Sequence, residues 1–205
     1  MKTENKFSFL TAIFVIALGA SNIIASKVVT IFGFSAPAGI IVYPLTFMVT
    51  DVVSEAFGKK KAQWVVWTGF AMMLLLLTII KAAVLLPSAS FYKGQQAFQS
   101  IFNASFRIIL ASLAAYIVSQ SCDITLFHFL RKLTNVRFLW LRNNAATMTS
   151  QLADTILFIL IAFYGVYDFQ VCLRLIGGQV LFKFLFAVLD TPFVYIGVWW
   201  AKREG

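Results

Sequence analysis

Six apolar stretches, each long enough to cross a lipid bilayer, recur along this chain at near-even spacing, at about 9–29, 38–57, 63–86, 103–128, 145–166 and 173–200. An α-helix rises about 1.5 Å per residue, so roughly 20 apolar residues span the hydrocarbon core. The stretches are continuous rather than alternating, which excludes a β-barrel, whose strands carry apolar and polar residues in turn. The expected architecture is all-α: a polytopic membrane protein, a six-transmembrane-helix bundle occupying residues 1–205 as one domain. Composition agrees, because 60% of the residues are hydrophobic and only 12% charged, outside the soluble range. The connections are too short to hold a catalytic domain, and they carry turn residues such as Gly33, Pro37, Gly58, Pro87 and Gly94. The first apolar run follows MKTENKFSF without a small-residue cleavage site and is read as a retained span.

The net charge of +9 would point to nucleic acid in a soluble chain. Here the cations gather in short loops, so membrane orientation explains them and no nucleic-acid partner is expected. Lys2, Lys6, Lys59, Lys60, Lys61, Arg131, Lys132, Arg137, Arg142, Lys202 and Arg203 fall on one side of the bundle, against Lys27, Lys93 and Arg174 on the other. Lys and Arg accumulate in cytoplasmic loops, so both termini are predicted to be cytoplasmic. Trp64, Trp67, Trp140, Trp199 and Trp200 cluster at the same predicted ends, as an interfacial belt requires.

Acidic side chains inside such stretches narrow the function. A carboxylate in hydrocarbon costs roughly 2.5–3.5 kcal/mol on insertion scales, so it usually lines a cavity or a transport path. Asp51, Glu55, Asp123, Asp154 and Asp190 are the five candidates. Asp51 and Glu55 are four residues apart and share a helix face, an arrangement suited to proton handling. Alternatively, Glu55 lies at the headgroups and pairs with the Lys59–Lys61 loop.

The fifth span carries the longest polar stripe. Asn144, Thr147, Gln151 and Asp154 fall on one helical face, and such a face avoids lipid. Ser119, Gln120 and Asp123 of the fourth span repeat Ser150, Gln151 and Asp154 at a constant offset of 31 residues, and the two Ser-Gln pairs can face each other. This repeat reads either as helix-packing glue or as an inverted duplication. On the sixth span Gln179, Lys183, Phe186 and Asp190 share a face. A buried lysine needs a carboxylate partner, so an ion pair between Lys183 and an acid of another span is expected, static or functional. Pro192 removes a backbone bond near Asp190 and predicts a kink. In the first span Ala17, Ser21 and Ala25 form a small-residue ridge suited to helix packing, and Asn22 is assigned to packing with them.

The single histidine, His128, and the two cysteines, Cys122 and Cys172, show no metal-ligand or catalytic spacing, and no phosphate-binding loop is present. No enzyme activity, metal or cofactor is expected.

Four segments together carry a resemblance: YPLTFMVTDVVSEAFGKKKA from Tyr43, FRIILASLAAYIVSQSCD from Phe106, LWLRNNAATMTSQLADTILF from Leu139 and KFLFAVLDTPFVY from Lys183. They resemble the bacterial queuosine-precursor transporters, the YhhQ-like group also called the vitamin uptake transporter family, over nearly all of the chain after residue 20. The resemblance implies a multi-pass protein of the bacterial inner membrane that imports a 7-deazaguanine: 7-cyano-7-deazaguanine, its aminomethyl relative or queuine. A guanine-like edge presents adjacent N–H donors that a carboxylate accepts, while amides read the neighbouring carbonyl and ring nitrogen. Glu55 or Asp154 is the expected acceptor of that edge, with Gln151, Asn143, Asn144 and Gln120 in support and Phe47 or Phe186 stacking on the base. Asp51, Asp123, Asp190 and Lys183 are assigned to ion coupling or a structural pair. The pocket is expected in the cytoplasmic half, among the second, fourth, fifth and sixth spans. Proton symport and a homodimer are compatible with so small a carrier. The alternative is the substrate-capture subunit of an energy-coupling-factor importer for a vitamin-like or purine-like molecule.

Overall fold

The computed structural model describes residues 3–133, 139–189 and 191–202, with side chains except at 59, 120–133, 139–147, 187, 188 and 191. Seven α-helices account for most of it: α1 (Thr3–Ile24), α2 (Tyr43–Phe57), α3 (Lys59–Leu85), α4 (Gln95–Leu133), α5 (Leu139–Phe163), α6 (Phe169–Leu189) and α7 (Thr191–Lys202). Among the described residues, five helical segments are long and apolar enough to cross a membrane: Thr3–Ile24, Ala38–Phe57, Lys60–Leu85, Gln95–Ser119 and Phe169–Phe186. The described apolar part of α5, Met148–Phe163, is shorter. The chain is an α-helical, multi-pass membrane protein.

One sequence expectation is corrected. The first span ends at Ile24, and the chain then forms an antiparallel hairpin of β1 (Val28–Ile31) and β2 (Phe34–Pro37). Its two-residue loop has positive φ at both Phe32 (51°) and Gly33 (83°), the conformation whose twist matches that of paired strands. A 3-10 turn at Ala38–Ile41 leads from the hairpin into α2, where Pro44 lies in the first turn and loses no helical hydrogen bond. In the sixth stretch α6 is described as far as Leu189 and α7 from Thr191, with Pro192 in the first turn of α7. Asp190 lies outside the described residues.

Four packed clusters hold the bundle. Leu10 and Phe14 of α1 pack with Val49, Val52 and Val53 of α2, Val65 of α3 and Ala201 of α7. Met73 and Ile80 of α3 meet Ile109 and Leu113 of α4. Ile108 and Ala111 of α4, Ile159 and Ala162 of α5, and Cys172 and Leu175 of α6 form the third cluster. Ala36 of β2 and Ile40 pack on Phe182 of α6 in the fourth. The predicted small-residue ridge is used here: Ala17, Ser21 and Ala25 are all buried, and Gly39 presses on the Ser21 backbone so closely that a Cβ there would collide with it.

Polar contacts fix the directions of the helices. The Arg107 guanidinium, a third of the way along α4, donates to the carbonyls of Ile161 (2.7 Å) and Tyr164 at the end of α5. The two helices therefore run antiparallel, and Arg107 serves the carbonyls that a helix C-terminus leaves unpaired. The Lys6 ammonium donates to the Trp200 carbonyl at 3.0 Å, bringing the start of α1 and the end of α7 to the same end of the bundle.

Candidate functional site

The helices enclose a cavity of about 380 Å³, lined from α1, the 3-10 turn, α2, α3, α4, α5 and α6. Its walls differ in chemistry because each helix turns a different stripe inward. Phe14 and Leu18 of α1 and Phe70 and Met73 of α3 form an apolar side, while Ser150, Gln151 and Asp154 of α5 and Gln179 of α6 form a polar one. Tyr43 and Phe47, one turn apart on α2, add two rings packed edge to face with centroids 4.9 Å apart.

Four hydroxyls of the lining are already used. Ser21 donates to the Leu18 carbonyl, Thr46 to Tyr43, Thr50 to Phe47 and Ser119 to Tyr116, all within their own helices. Such back-bonding satisfies a hydroxyl in an apolar setting and leaves little to bind a ligand. The carboxylate and amides are the groups that matter.

The centre of the polar wall is an ion pair between two helices. Lys183 of α6 donates to Asp154 Oδ2 at 2.9 Å, and the two side chains are 11% and 17% exposed. The same ammonium donates to Thr155 Oγ1 at 3.0 Å and to Gln151 Oε1 at 3.4 Å, and it lies 5.4 Å from the centre of the Tyr43 ring. An ammonium has three N–H donors, and all three have partners here. Thr155 in turn donates to the Gln151 carbonyl at 2.9 Å, which fixes the orientation of its oxygen. Lys183 is thus held in place with no donor left for a ligand. Asp154 offers its second oxygen and Gln151 its amide nitrogen.

The predicted site residues separate accordingly. Asp154, Gln151 and Phe47 line the cavity, and Lys183 supports it from behind. Ser119 of α4 and Ser150 and Gln151 of α5 line the same space, as the facing of the repeated pairs requires. Glu55 is elsewhere: it lies in the last turn of α2, whose cavity lining ends at Thr50, and pairs with Lys202 of α7 at 3.1 Å on an exposed surface. That partner lies on α7; the Lys59 side chain is outside the described residues. Asp51 is exposed on α2 and does not line the cavity, and Phe186 packs with the Phe182 cluster. The side chains of Gln120, Asp123, Asn143 and Asn144, like Asp190, lie outside the described residues.

The cavity is also wider than expected, because α1 and α3 contribute a whole side and the lining reaches Pro37 and Gly39 beside the hairpin. Asn22, assigned from the sequence to packing, lines it, as do Tyr43, Tyr116 and Gln179. The signal for Gln179 was its place one turn before Lys183 on the same face. Tyr43 carried none, since an aromatic residue at a helix start reads equally as an interfacial anchor.

A multi-pass helical bundle around a buried, ligand-sized cavity with one polar wall has the architecture of a small-molecule transporter. The family described as "Putative vitamin uptake transporter" matches residues 37–197, and the chain belongs to it. Over 176 residues it is 35% identical to a "Probable queuosine precursor transporter" of Bacillus subtilis, covering 85% of this chain and 77% of that one. It is 31% identical to a protein of the same description from Haemophilus influenzae, covering 74% of this chain and 59% of the relative. The "Queuosine precursor transporter" of Escherichia coli is 29% identical, with 76% and 68% covered. No solved structure matches the chain. A multi-pass member of such a family in a bacterium belongs to the inner membrane.

Proposed function

We propose that this protein imports a queuosine precursor, a 7-deazaguanine base, for modification of tRNA, and that the cavity beside the Asp154–Lys183 pair is where the base is held. The observation that carries this reading is that pair at the wall of a cavity of about 380 Å³ that the Tyr43 and Phe47 rings also line. The volume suits a small heterocycle, since ligand pockets run from about 300 to 1,000 Å³. Asp154 accepts a ring or amino N–H of the base, Gln151 contributes its amide nitrogen to the carbonyl, and an aromatic ring of α2 covers the flat face. The names of the relatives support the substrate class.

The same reading takes the bundle as six spans with both termini cytoplasmic, α6 and α7 together forming the last. It is supported by the contact between Lys6 and Trp200 at one end and by the distribution of Lys and Arg. Coupling to protons is part of the proposal: a proton on Asp154 removes the charge that holds Lys183, which links substrate-site chemistry to the α5–α6 contact.

The test is uptake of labelled 7-cyano-7-deazaguanine by cells that lack both queuosine synthesis and their own carrier. This chain is expected to restore uptake and queuosine in tRNA, and Asp154→Asn or Gln151→Ala to abolish both while the protein still reaches the membrane. Normal uptake in both variants would remove the polar wall from the mechanism. Insensitivity of uptake to an uncoupler would remove the proton.

A further inference from the structure

Gln179 is 8% exposed and lines the cavity, and its side-chain oxygen is buried without a hydrogen-bond partner. An amide oxygen left unpaired in an apolar interior is costly, so a protein seldom keeps one unless something else supplies the donor.

The helix segment that bears Gln179 is fixed in place on both sides. The neighbouring Gly178 lies directly against the Ser35 carbonyl of β2, so closely that a Cβ at that position would collide with it. The turn of α6 that bears Gln179 is therefore fixed against the hairpin. One turn further on, Lys183 ties α6 to Asp154 of α5. The stretch of α6 backbone that carries Gln179 is held between two anchored points.

The ion pair also changes how a guanine-like edge can be read. A free carboxylate accepts two adjacent N–H groups as a fork. Here Asp154 Oδ2 already accepts from Lys183, so the two oxygens of that carboxylate are no longer equivalent acceptors for the ligand. An acceptor on another side chain would relieve Oδ2 of serving both the ammonium and the base. Of the amides on the polar wall, Gln151 already directs its oxygen to Lys183, whereas the oxygen of Gln179 is unpaired.

We propose that Gln179 is a specificity-determining residue of the substrate site, the second acceptor for the amino-lactam edge of the base beside Asp154. The inference rests on the reading of the cavity as the site of a deazaguanine. Its consequence is selection for a base that carries the exocyclic amino group, because a ligand without that donor leaves the Gln179 oxygen buried and unpaired. A site that hydrogen-bonds a donor rejects the analogue lacking it far more strongly than an apolar pocket rejects an isostere.

The test uses the full chain in liposomes and labelled 7-cyano-7-deazaguanine as transported probe. Two competitors are compared: 7-deazaguanine and 7-deazahypoxanthine, which differ in the exocyclic amino group. The wild type is expected to favour 7-deazaguanine by about tenfold or more. In Gln179→Leu the KM for the labelled base is expected to rise about tenfold, Vmax to change less than about twofold, and the preference between competitors to vanish. Gln179→Glu keeps an acceptor oxygen at the same reach and is expected to keep the preference; where the leucine variant fails to fold, Gln179→Met is read instead. An unchanged competitor ratio in the leucine or methionine variant overturns the role of Gln179 alone. A wild type that transports no deazaguanine overturns the functional reading, and this inference with it.

Discussion

Lys183 of α6 and Asp154 of α5 meet at 2.9 Å inside the bundle, and the ammonium is shared with Thr155 and Gln151. A pair so enclosed is costly to break from one side, because the remaining charge has no partner. Asp154→Leu or Lys183→Met alone is expected to destabilise the protein by about 3–5 kcal/mol, whereas the double variant recovers most of that loss. Thermal unfolding in detergent measures both. Uptake should stay absent in the double variant, separating the structural role of the pair from the binding role of Asp154.

The Tyr43 ring lies 5.4 Å from the Lys183 ammonium. Tyr43→Phe keeps the ring and is expected to leave stability within about 0.5 kcal/mol, while Tyr43→Leu loses roughly 0.5–2 kcal/mol of cation–π attraction. Comparing the two variants by thermal unfolding isolates the ring from the hydroxyl. Equal losses in both would assign the effect to the hydroxyl.

Glu55 and Lys202 form the opposite case, an ion pair at 3.1 Å whose side chains are 67% and 51% exposed. Solvent screening leaves such pairs little weight, so Lys202→Ala is expected to change stability by less than about 1 kcal/mol. Glu55→Gln should transport the labelled base at a rate near wild type. A large loss of uptake in Glu55→Gln would return this acid to the substrate path.

Arg107 joins α4 to the last carbonyls of α5 through two of its nitrogens. Arg107→Ala leaves those carbonyls unserved and is expected to cost about 1.5–3 kcal/mol, the range for hydrogen bonds to a charged group. Arg107→Lys should not recover it, because a point charge cannot reproduce the forked geometry. Hydrogen exchange at the end of α5 provides a local readout.

The Gly178 backbone abuts Ser35 of the hairpin. Gly178→Ala introduces a methyl group where the strand carbonyl lies and is expected to destabilise by about 1–3 kcal/mol. Gly177→Ala, at a position with open space, serves as the control and should be nearly neutral. Similar losses in the two variants would point to helix flexibility instead of the hairpin contact.

The helices were legible in the sequence because apolar length is a local property: Ala38–Phe57 coincides with the second predicted stretch, and α1, α3, α4 and α5 overlap theirs. The hairpin was not legible. Four-residue strands beside a Gly and a Pro read as an ordinary loop, and only packing of β2 on α6 makes them a structure. The same contrast separates the acids. Asp154 and Glu55 both sit on apolar helices, and the sequence ranked either as the acceptor of the base edge. Which acid faces inward depends on how each helix is rotated against its neighbours.

The sequence by itself determined that the chain crosses a membrane repeatedly, which of its residues are too polar for lipid, and that Lys183 needs an acid from another span. These follow from transfer free energies and helical periodicity, which act residue by residue. Only the tertiary structure decided that the acid is Asp154, that Glu55 pairs with Lys202 at the surface, that α1 and α3 complete the cavity, and that the Gln179 oxygen is left unpaired. Those outcomes depend on helix rotation and close packing across the bundle, for which no local pattern of residues carries a signal.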